Sequence, residues 1–572
     1  MKASFVAGAC TVLGLCAPLP AQTTTRASVN SGGVPAAIAY FSVSGGLSSN
    51  GRFVAFTSDA PNLVPGDTNN TYDTFVHDRS TGITTRVSLS SSGAQANGST
   101  SVGPISSDGR FTVLRSLASN LVPGDSNGVY DIFLRDELQS LTTRVSVSTA
   151  GVEANAESSS PLMTPDGAWA GFSSSASNLD PLKTTSLFAP FVHEVATGTT
   201  TALPLVPSGG QLDGFVSAGF ITSDAHYLVI DGLATNIVAG DTNNTRDAFL
   251  HDRVLGTTVR VSVNSAGIQG NSGSFAGSAS DDGRYVVFSS SATNLVAGDT
   301  NSQSDIFMRD LQLGTTARLS VNQFGIQGDH WSDAPKITPD GRFVAFSTWS
   351  TNFVAGDNNN SYDQFRLDRQ TGVVLVASVS TLGQFVSGQS QPRPTFMSDD
   401  GNVLSFSGAW AGIVPTQIYS NDTVYVHDLT VFAPVTTYCT AKINSLGCRP
   451  EISSAGVPHF SGSDAFFLVA NNLRPNKPGV FLWSRTPNAT PFGGGTLCVN
   501  APVSRTGIQI SAVAGPVPCS GTYGFHFRHS YMLSHGLMPG DTVYGQFHSR
   551  DPGFAPPNNI GLTDAVQFGI IP

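Results

Sequence analysis

The feature that most constrains this chain is a repeat whose members stay in register over most of its length. A turn sequence close to Asp-Gly-Arg-Phe begins at Asn50, Asp108, Asp166, Asp224, Asp282, Asp340 and Asp400. Successive members are 58 residues apart five times and 60 residues apart once. An acidic residue keeps the same spacing at Asp78, Asp136, Glu194, Asp252, Asp310, Asp368 and Asp428. Two landmarks in register over seven units indicate a tandem array of one structural unit.

Each unit is predicted to form four short β-strands. In the second unit the strands are expected at about 101–105, 110–114, 130–135 and 143–147, where apolar and polar residues alternate. Asp-Gly favours a tight turn because glycine adopts positive φ without steric cost. Four strands cannot bury both of their faces alone, whereas seven such units around an axis can. The sequence therefore predicts an all-β chain whose residues 22–435 form a seven-bladed β-propeller.

The first residues of the array are expected to close the ring. Residues 25–29, Thr-Arg-Ala-Ser-Val, match the outer strand of the first unit at 85–89, Thr-Arg-Val-Ser-Leu. The seventh unit has no such strand after Asp428. We therefore expect the N-terminal strand to complete the last blade.

A second domain is predicted over residues 436–572, where the repeat stops. Strands are expected at 466–469, 479–483, 496–499, 508–510, 542–547 and 565–570, which suits a small β-sandwich or jelly roll. Four cysteines lie here: Cys439, Cys448, Cys498 and Cys519. They predict two disulfides in an exported chain. Of the three pairings, closeness in sequence favours Cys439 with Cys448 and Cys498 with Cys519.

The N-terminus is typical of a secretory signal peptide. Lys2 precedes a short apolar run at 3–15, and a small residue, Ala21, marks the expected cleavage site. Lipidation at Cys16 is a weaker alternative, because the bulky Leu15 precedes it. The run is too short to span a bilayer, and no later segment is a membrane-helix candidate. We therefore expect an exported protein, either periplasmic, on the cell surface or extracellular.

Charge argues against a nucleic-acid partner. The formal net charge is −11, and charged residues are 12% of the chain, about half the usual share of about 25%. An acidic surface without a basic stripe repels phosphate backbones.

An acidic loop, Gly-Asp-x-Asn-x-x-x-Asp, recurs in five units. Its oxygen-bearing residues are Asp67, Asn69 and Asp73; Asp125, Asn127 and Asp131; Asp241, Asn243 and Asp247; Asp299, Asn301 and Asp305; and Asp357, Asn359 and Asp363. Carboxylates and amides at alternate positions are Ca²⁺ ligands, so one hypothesis is a structural Ca²⁺ in each loop. Asp78 is expected to start a turn, because it lies a strand's length, about 16 Å, from Asp73.

The other hypothesis for these loops is an ion pair across two strands. Asp73 and Arg86 are predicted diagonal neighbours, and the units at Asp131, Asp247 and Asp305 also carry both residues, with Arg144, Arg260 and Arg318. The third unit has neither, and the sixth has Asp363 with Val376. This pattern favours ion pairing with local turn capping.

A polar face is the candidate ligand surface. The loops before the inner strands carry Gln95 and Asn97, Glu153 and Asn155, Gln269 and Asn271, and Gln327 and Asp329. They are expected on the same face as the acidic loops, where they suit hydrogen bonding to a glycan or peptide. The alternative is that they are ordinary solvated loop residues.

The repeats resemble the WD-type repeats of TolB-like propellers. The matching segments include Thr-Pro-Asp-Gly-Arg-Phe-Val-Ala-Phe at 338–346 and Asp-Ile-Phe-Met-Arg-Asp at 305–310, and the resemblance covers about 24–430. It implies a propeller and a scaffold role but no chemistry. The second domain, with Tyr-Cys at 438–439 and Arg-Asp-Pro at 550–552, resembles a terminal module of exported planctomycete-type bacterial proteins.

Together these features predict an exported, non-catalytic binding or structural scaffold. Its propeller face would recognise a glycan, peptide or protein partner. The alternative is a secreted hydrolase or lyase acting in the propeller funnel. No catalytic residue is assigned, because the chain lacks the nucleophile elbow, phosphate loop and dinucleotide fingerprint that mark such sites.

Overall fold

The computed structural model describes residues 23–37, 40–322, 325–354, 357–380, 385–389, 395–410, 412–414, 422–429, 436–455, 458, 466–513, 519–538, 541–556 and 558–570. These residues confirm the all-β prediction, with one short helix, His529–Ser534, as an exception. The predicted signal peptide, residues 1–21, lies outside the described residues. None of the described helices has the length and apolarity needed to cross a membrane.

Within the described residues, six successive sheets each contain four antiparallel strands, paired in chain order. We call these sheets blades 1 to 6 and their strands a to d. Blades 1 to 3 comprise Ser42–Leu47, Phe53–Ser58, Asp73–Asp78 and Ile83–Arg86; Thr100–Ile105, Phe111–Ser116, Asp131–Asp136 and Leu141–Arg144; and Ser158–Met163, Trp169–Ser174, Ala189–Glu194 and Thr199–Ala202. Blades 4 to 6 comprise Val216–Ile221, Tyr227–Gly232, Asp247–Asp252 and Thr257–Arg260; Ser274–Ala279, Tyr285–Ser290, Asp305–Asp310 and Thr315–Arg318; and Ser332–Ile337, Phe343–Thr348, Asp363–Asp368 and Val374–Val376.

Blade 7 is built from both ends of the repeat array. Its strands are Gly388–Gln389 and Phe396–Met397, which share the inner position, then Val403–Trp410, Thr423–Asp428 and Thr23–Arg26. We call Thr23–Arg26 the closing strand. It pairs antiparallel with Thr423–Asp428 and takes the place of strand d.

The seven sheets close into a ring. Blade 7 meets blade 1 where Ser42 N donates to Asp422 O at 2.8 Å and where the hydroxyls of Ser44 and Ser405 lie 2.7 Å apart. Blade 6 meets blade 7 through Arg366, whose Nη1 donates to Gly401 O at 2.8 Å. This arrangement is a β-propeller, and the count of sheets agrees with the seven repeats.

The repeated turn glycine explains how neighbouring blades fit together. Gly109 has φ of +76°, and a Cβ placed there would lie 2.7 Å from the Phe53 ring of the preceding blade. Gly283 has the same relation to Tyr227. At the ring closure Gly51 meets Val403 of blade 7 in the same way. The Asp-Gly-Arg-Phe motif therefore specifies a turn within one blade and an aromatic contact with the next.

The hydrophobic core of the propeller lies between successive blades. One cluster joins Val113 and Leu134 of blade 2 to Phe172 of blade 3, and the other clusters draw on neighbouring blades in the same way. Stacked phenylalanine pairs on strands b and c recur within blades, with ring centroids 5.6 Å apart for Phe56 and Phe75. Each blade thus buries both faces against its neighbours.

The second domain is a β-sandwich. One sheet contains Thr436–Tyr438, Ile560–Gly569, Thr542–Arg550 and Pro478–Ser484, with Ser504–Arg505 and Gln509–Ile510 paired to the last of these. The other contains Glu451–Ala455, Phe467–Leu473, Gly521–His526 and Ala512–Val513, and Pro487–Phe492 pairs with Gly495–Val499. Leu468, Phe481, Tyr523, Phe547 and Phe568 from both sheets pack in one core.

Two disulfides are present in this domain, as predicted, but the expected pairing was wrong. Cys439 pairs with Cys498, with Cα atoms 6.4 Å apart, and Cys448 pairs with Cys519, with Cα atoms 6.1 Å apart. Sheet topology brings distant segments together here: the Tyr438 hydroxyl donates to the Cys498 carbonyl. Closeness in sequence therefore misled the prediction, because strand pairing decides which cysteines meet.

Candidate functional site

The acidic loops of blades 1, 2, 4 and 5 are each neutralised by an arginine on strand d. In blade 1, Arg86 Nη1 lies 3.2 Å from Asp67 Oδ1 and 3.4 Å from Asp73 Oδ2. In blade 4, Arg260 lies 3.1 Å from Asp241 and 3.5 Å from Asp247. The predicted ion pair of strands c and d is confirmed. The contact of the same guanidinium with the first aspartate of the loop was not foreseen.

The asparagine of each loop is held by hydrogen bonds within the protein. Asn69 Nδ2 donates to Asp73 Oδ2 at 2.9 Å and to Ala96 O at 3.0 Å. Ser88 Oγ donates to the other oxygen of Asp73 at 2.5 Å. Asn127, Asn243, Asn301 and Asn359 repeat the first two contacts. These amides tie the loop to strand c and to the following loop.

Blade 2 contains the densest acidic cluster of the described residues. Carboxylate oxygens of Asp125, Asp131 and Glu153 lie within 4.8 Å of one another. Arg144 contacts all three, at 3.3, 3.8 and 2.6 Å. Burial nevertheless raises the pKa of Asp131 to about 6. A guanidinium thus supplies the positive charge that the Ca²⁺ hypothesis assigned to an ion.

Blade 6 departs from this arrangement. Val376 stands where blades 1, 2, 4 and 5 have arginine, and no ion pair to Asp357 or Asp363 occurs among the described residues. Burial and the neighbouring charge of Asp357 raise the pKa of Asp363 to about 8. Its Oδ1 accepts a 2.5 Å hydrogen bond from Ser378 Oγ.

The second acidic landmark serves a turn, as expected. Asp78 Oδ1 accepts the backbone N–H of Ser80 at 2.9 Å. It also forms a two-pronged ion pair with Arg52, at 2.9 and 2.7 Å, which holds the pKa of the Asp78 carboxyl far below its usual range. The arginine of the Asp-Gly-Arg motif repeats this contact with Asp136, Asp310 and Asp368. Its role is therefore structural.

The eight polar loop residues do lie beside the acidic loops, but their hydrogen bonds are largely internal. Gln95 Nε2 donates to Thr68 Oγ1 at 3.0 Å in its own blade, and Glu153 accepts from Ser126 Oγ at 2.8 Å. Asn97 reaches the next blade, where its Nδ2 donates to Ser119 Oγ at 3.0 Å. Asn155, Asn271 and Asp329 also bond to the next blade, Gln327 bonds to Asp299, and Gln269 bonds to Thr242. Their role in ligand binding stays a prediction.

The a strands enclose a cavity of about 530 Å³, whose lining residues the sequence did not reveal. Residues of the inner strands and of the a–b turns line it. They include Val102, Pro104, Pro161, Leu162, Met163, Ala218, Phe220, Ile337 and Phe396, interspersed with serines and glycines. This size and lining are typical of a pocket for a small molecule or an extended peptide segment.

One cationic side chain, Lys336, lines this cavity among the described residues. Its Nζ lies 3.4 Å from Gly277 O and 5.7 Å from the centroid of the Phe220 ring. Burial lowers the pKa of Lys336 to about 8, so the ammonium form predominates at pH 7. Its repeat position holds Gly46, Pro104, Leu162, Phe220, Ser278 and Phe396 in blades 1, 2, 3, 4, 5 and 7. In the sequence, the available signal for Lys336 was a charged residue at a repeat position that is uncharged in the other blades.

The a–b turns form a ring at one end of the cavity. Hydrogen bonds link turns of neighbouring blades: Ser107 N donates to Pro165 O at 2.7 Å, and Asp399 N donates to Ser49 O at 2.8 Å. At the position just before the motif aspartate or asparagine, two of these turns carry a carboxylate, Asp281 and Asp399. Asp281 Oδ1 accepts the backbone N–H of Ser223 at 3.0 Å, so it fixes the neighbouring turn.

Solved structures include chains that are similar to this one. The chain is similar in structure to a protein designated TolB from Agrobacterium tumefaciens (15% identity, TM-score 0.33, covering 60% of this chain and 93% of that one). It is also similar to a chain of a mitotic checkpoint complex (12%, 0.36, 74% and 98%) and to the WD40 repeats of RRP9 (8%, 0.36, 71% and 98%). No protein-family model and no curated protein matches the sequence.

Proposed function

We propose that this protein is an exported, non-catalytic binding scaffold whose propeller takes up a segment of a partner protein in the axial cavity. The observation that supports this role is the cavity itself, with mainly apolar walls, many serine and glycine residues, and the single ammonium of Lys336. Apolar walls with a well-placed ammonium bind an apolar group next to an anionic one. A peptide carrying an acidic and an apolar side chain has this chemistry.

Export is supported by the two disulfides of the sandwich. Disulfides persist in oxidising compartments and are rare in the cytosol. The apolar run at 3–15 and the cleavage site at Ala21 agree with this proposal. The periplasm, the cell surface and the exterior all satisfy it.

A peptide is favoured over a glycan by the composition of the wall. Sugars need many directed hydrogen bonds, whereas aliphatic, proline and glycine residues form most of this lining. The polar face of Gln95, Asn97 and their equivalents would be the site of glycan binding, but those side chains already bond to the protein.

Binding of defined peptides tests the proposal. Fluorescent hexapeptides with apolar residues and either acidic or amide side chains should bind with a preference for the acidic members. Lys336→Met should weaken binding of acidic peptides at least about tenfold, the effect of losing one charge-assisted contact. Lys477→Met, in the sandwich, should leave affinity unchanged. Equal affinity of the Lys336→Met protein, or binding of oligosaccharides and no peptide, would contradict the proposal.

One observation favours the alternative function, a hydrolase or lyase. The ring of a–b turns carries the carboxylates of Asp281 and Asp399. Asp399 borders the cavity, whereas the carboxylate of Asp281 already accepts a backbone hydrogen bond. Release of new reducing ends or amino groups from polysaccharides or proteins, abolished by Asp399→Asn, would establish catalysis in place of the scaffold role.

A further inference from the structure

Blades 1, 2, 4 and 5 neutralise the paired carboxylates of the acidic loop in the same way. Each holds two carboxylates of the acidic loop against a single guanidinium, at 3.1 to 3.8 Å. In blade 1 the same nitrogen, Arg86 Nη1, approaches both Asp67 and Asp73. The two carboxylates of the loop therefore converge on one point, and that point holds a positive charge.

Blade 6 keeps both carboxylates and lacks the guanidinium. Asp357 and Asp363 occupy the repeat positions of Asp67 and Asp73, and Val376 occupies that of Arg86. A second polar partner is also missing. Phe385 takes the place of Gln327, the blade 5 residue whose Nε2 donates to Asp299 and Asp305 at 2.9 and 3.0 Å.

Both carboxylates of blade 6 are nevertheless buried. Asp363 has no exposed surface, and Asp357 is 9% exposed. Asp363 accepts hydrogen bonds from Ser378 Oγ and Asn359 Nδ2, at 2.5 and 2.9 Å. Asp357 Oδ1 is fully buried and has no hydrogen-bond partner. A buried carboxylate oxygen without a partner is costly unless a cation faces it.

We propose that blade 6 binds one Ca²⁺ between Asp357 and Asp363, at the position that a guanidinium takes in blades 1, 2, 4 and 5. Two carboxylates balance the charge of a divalent ion, and a donor set made of oxygen selects hard cations. The ion would complete the acidic loop of blade 6 and hold it to strand c. We expect no metal in the acidic loops of blades 1, 2, 4 and 5, because an arginine guanidinium takes that position.

Calorimetric titration of the purified full-length protein, after EDTA treatment, tests this site with CaCl₂ as the probe. The expected stoichiometry is one Ca²⁺ per chain. At about 100 times the dissociation constant, Ca²⁺ should raise the melting temperature of the propeller by about 4 °C. Titration with MgCl₂ separates a calcium site from a general divalent site: weaker binding of Mg²⁺ is expected, and preference for Mg²⁺ would overturn the assignment of Ca²⁺.

Three variants locate the ion. Val376→Arg copies the other blades and should abolish both binding and the rise in melting temperature. Asp357→Asn should do the same while making the EDTA-treated protein more stable, because it removes a buried unpaired charge; it also serves if Val376→Arg does not fold. Asp299→Asn in blade 5 is the matched control and should leave one ion bound.

Two results would overturn the proposal. No heat and no shift in melting temperature with Ca²⁺ would mean that protonation alone neutralises the blade 6 pair. Binding that survives in both Val376→Arg and Asp357→Asn would place the ion elsewhere in the chain.

Discussion

One position on strand c holds a buried histidine in four of the seven blades. His77, His193, His251 and His427 lie there in blades 1, 3, 4 and 7, and each ring contacts a threonine hydroxyl on the adjoining outer strand at 2.9 Å. Burial lowers the pKa of all four, to about 4 for His251 and His427. These histidines are therefore neutral in the folded protein.

Acid is expected to destabilise the propeller through these rings. His251 has no exposed surface, and its buried Nε2 has no hydrogen-bond partner. Because its folded pKa, about 4, is below the unfolded value of about 6.5, its contribution is complete above pH 6.5 and is lost as the pH falls towards 4. At pH 5 the loss from His251 alone should be about 2 kcal/mol. Urea unfolding at pH 7 and pH 5 measures it.

Blade 6 supplies the control for this prediction. Leu367 and Val374 pair there as His251 and Thr258 pair in blade 4. The double variant His251→Leu with Thr258→Val should therefore lose less stability on acidification than the natural protein. An unchanged difference between pH 7 and pH 5 would show that His251 is not the titrating group.

Comparison of the repeats predicted some residue contacts and missed others. The joint absence of aspartate and arginine in blade 3 was enough to predict the pair of Asp73 and Arg86, since strand register fixes which residues are diagonal. The contact between Arg86 and Asp67 was missed because the path of a loop is not fixed by register. Lys336 was missed because its importance depends on the cavity that all the a strands create together.

At the level of elements, the closing strand is the propeller strand that lies farthest in sequence from the strand it pairs with. Its residues Thr23 to Arg26 pair with Asp428 to Tyr425, and Thr24 Oγ1 lies 2.9 Å from His427 Nδ1. Ala27 N continues the ladder by donating to Val424 O at 2.8 Å. The pairing follows the match between residues 25–29 and 85–89, since similar strands occupy similar places in a repeat.

Deleting the closing strand should open the ring. Removal of residues 23–26 from the mature chain should cost about 4 kcal/mol, at about 1 kcal/mol for each lost backbone hydrogen bond. The exposed edge of Thr423–Asp428 should also promote self-association. Thermal unfolding and size-exclusion chromatography measure both effects. Thr25→Ala, at an exposed position of the same strand, is the control and should change neither.

The strands of the sandwich could be predicted, but their order could not. Alternation marks a strand locally, whereas pairing of strands without a repeat depends on contacts distant in sequence. The short helix His529–Ser534 was missed for a related reason, because Met532, buried in the core, holds it there. The predicted cysteine pairing was wrong for the same reason, because strand pairing decides which cysteines meet.

For the whole molecule, the two domains should respond differently to reductant. The disulfides close loops of 59 and 71 residues, both within the sandwich. Chain entropy assigns about 4 kcal/mol to each such bridge. Scanning calorimetry with and without dithiothreitol should show a lowered sandwich transition and an unchanged propeller transition. The double variant Cys439→Ser with Cys498→Ser should reproduce part of the shift; a lowered propeller transition would contradict the expectation.

Ring closure also determines when, during synthesis, the propeller can be completed. The closing strand, Thr23–Arg26, has no partner until Thr423–Asp428 has been made, about 400 residues later. Until then blade 1 has a neighbouring blade on one side only, and the ring cannot reach its final stability. The closing strand is made early and paired late, so the propeller gains its full resistance to unfolding only when blade 7 is complete.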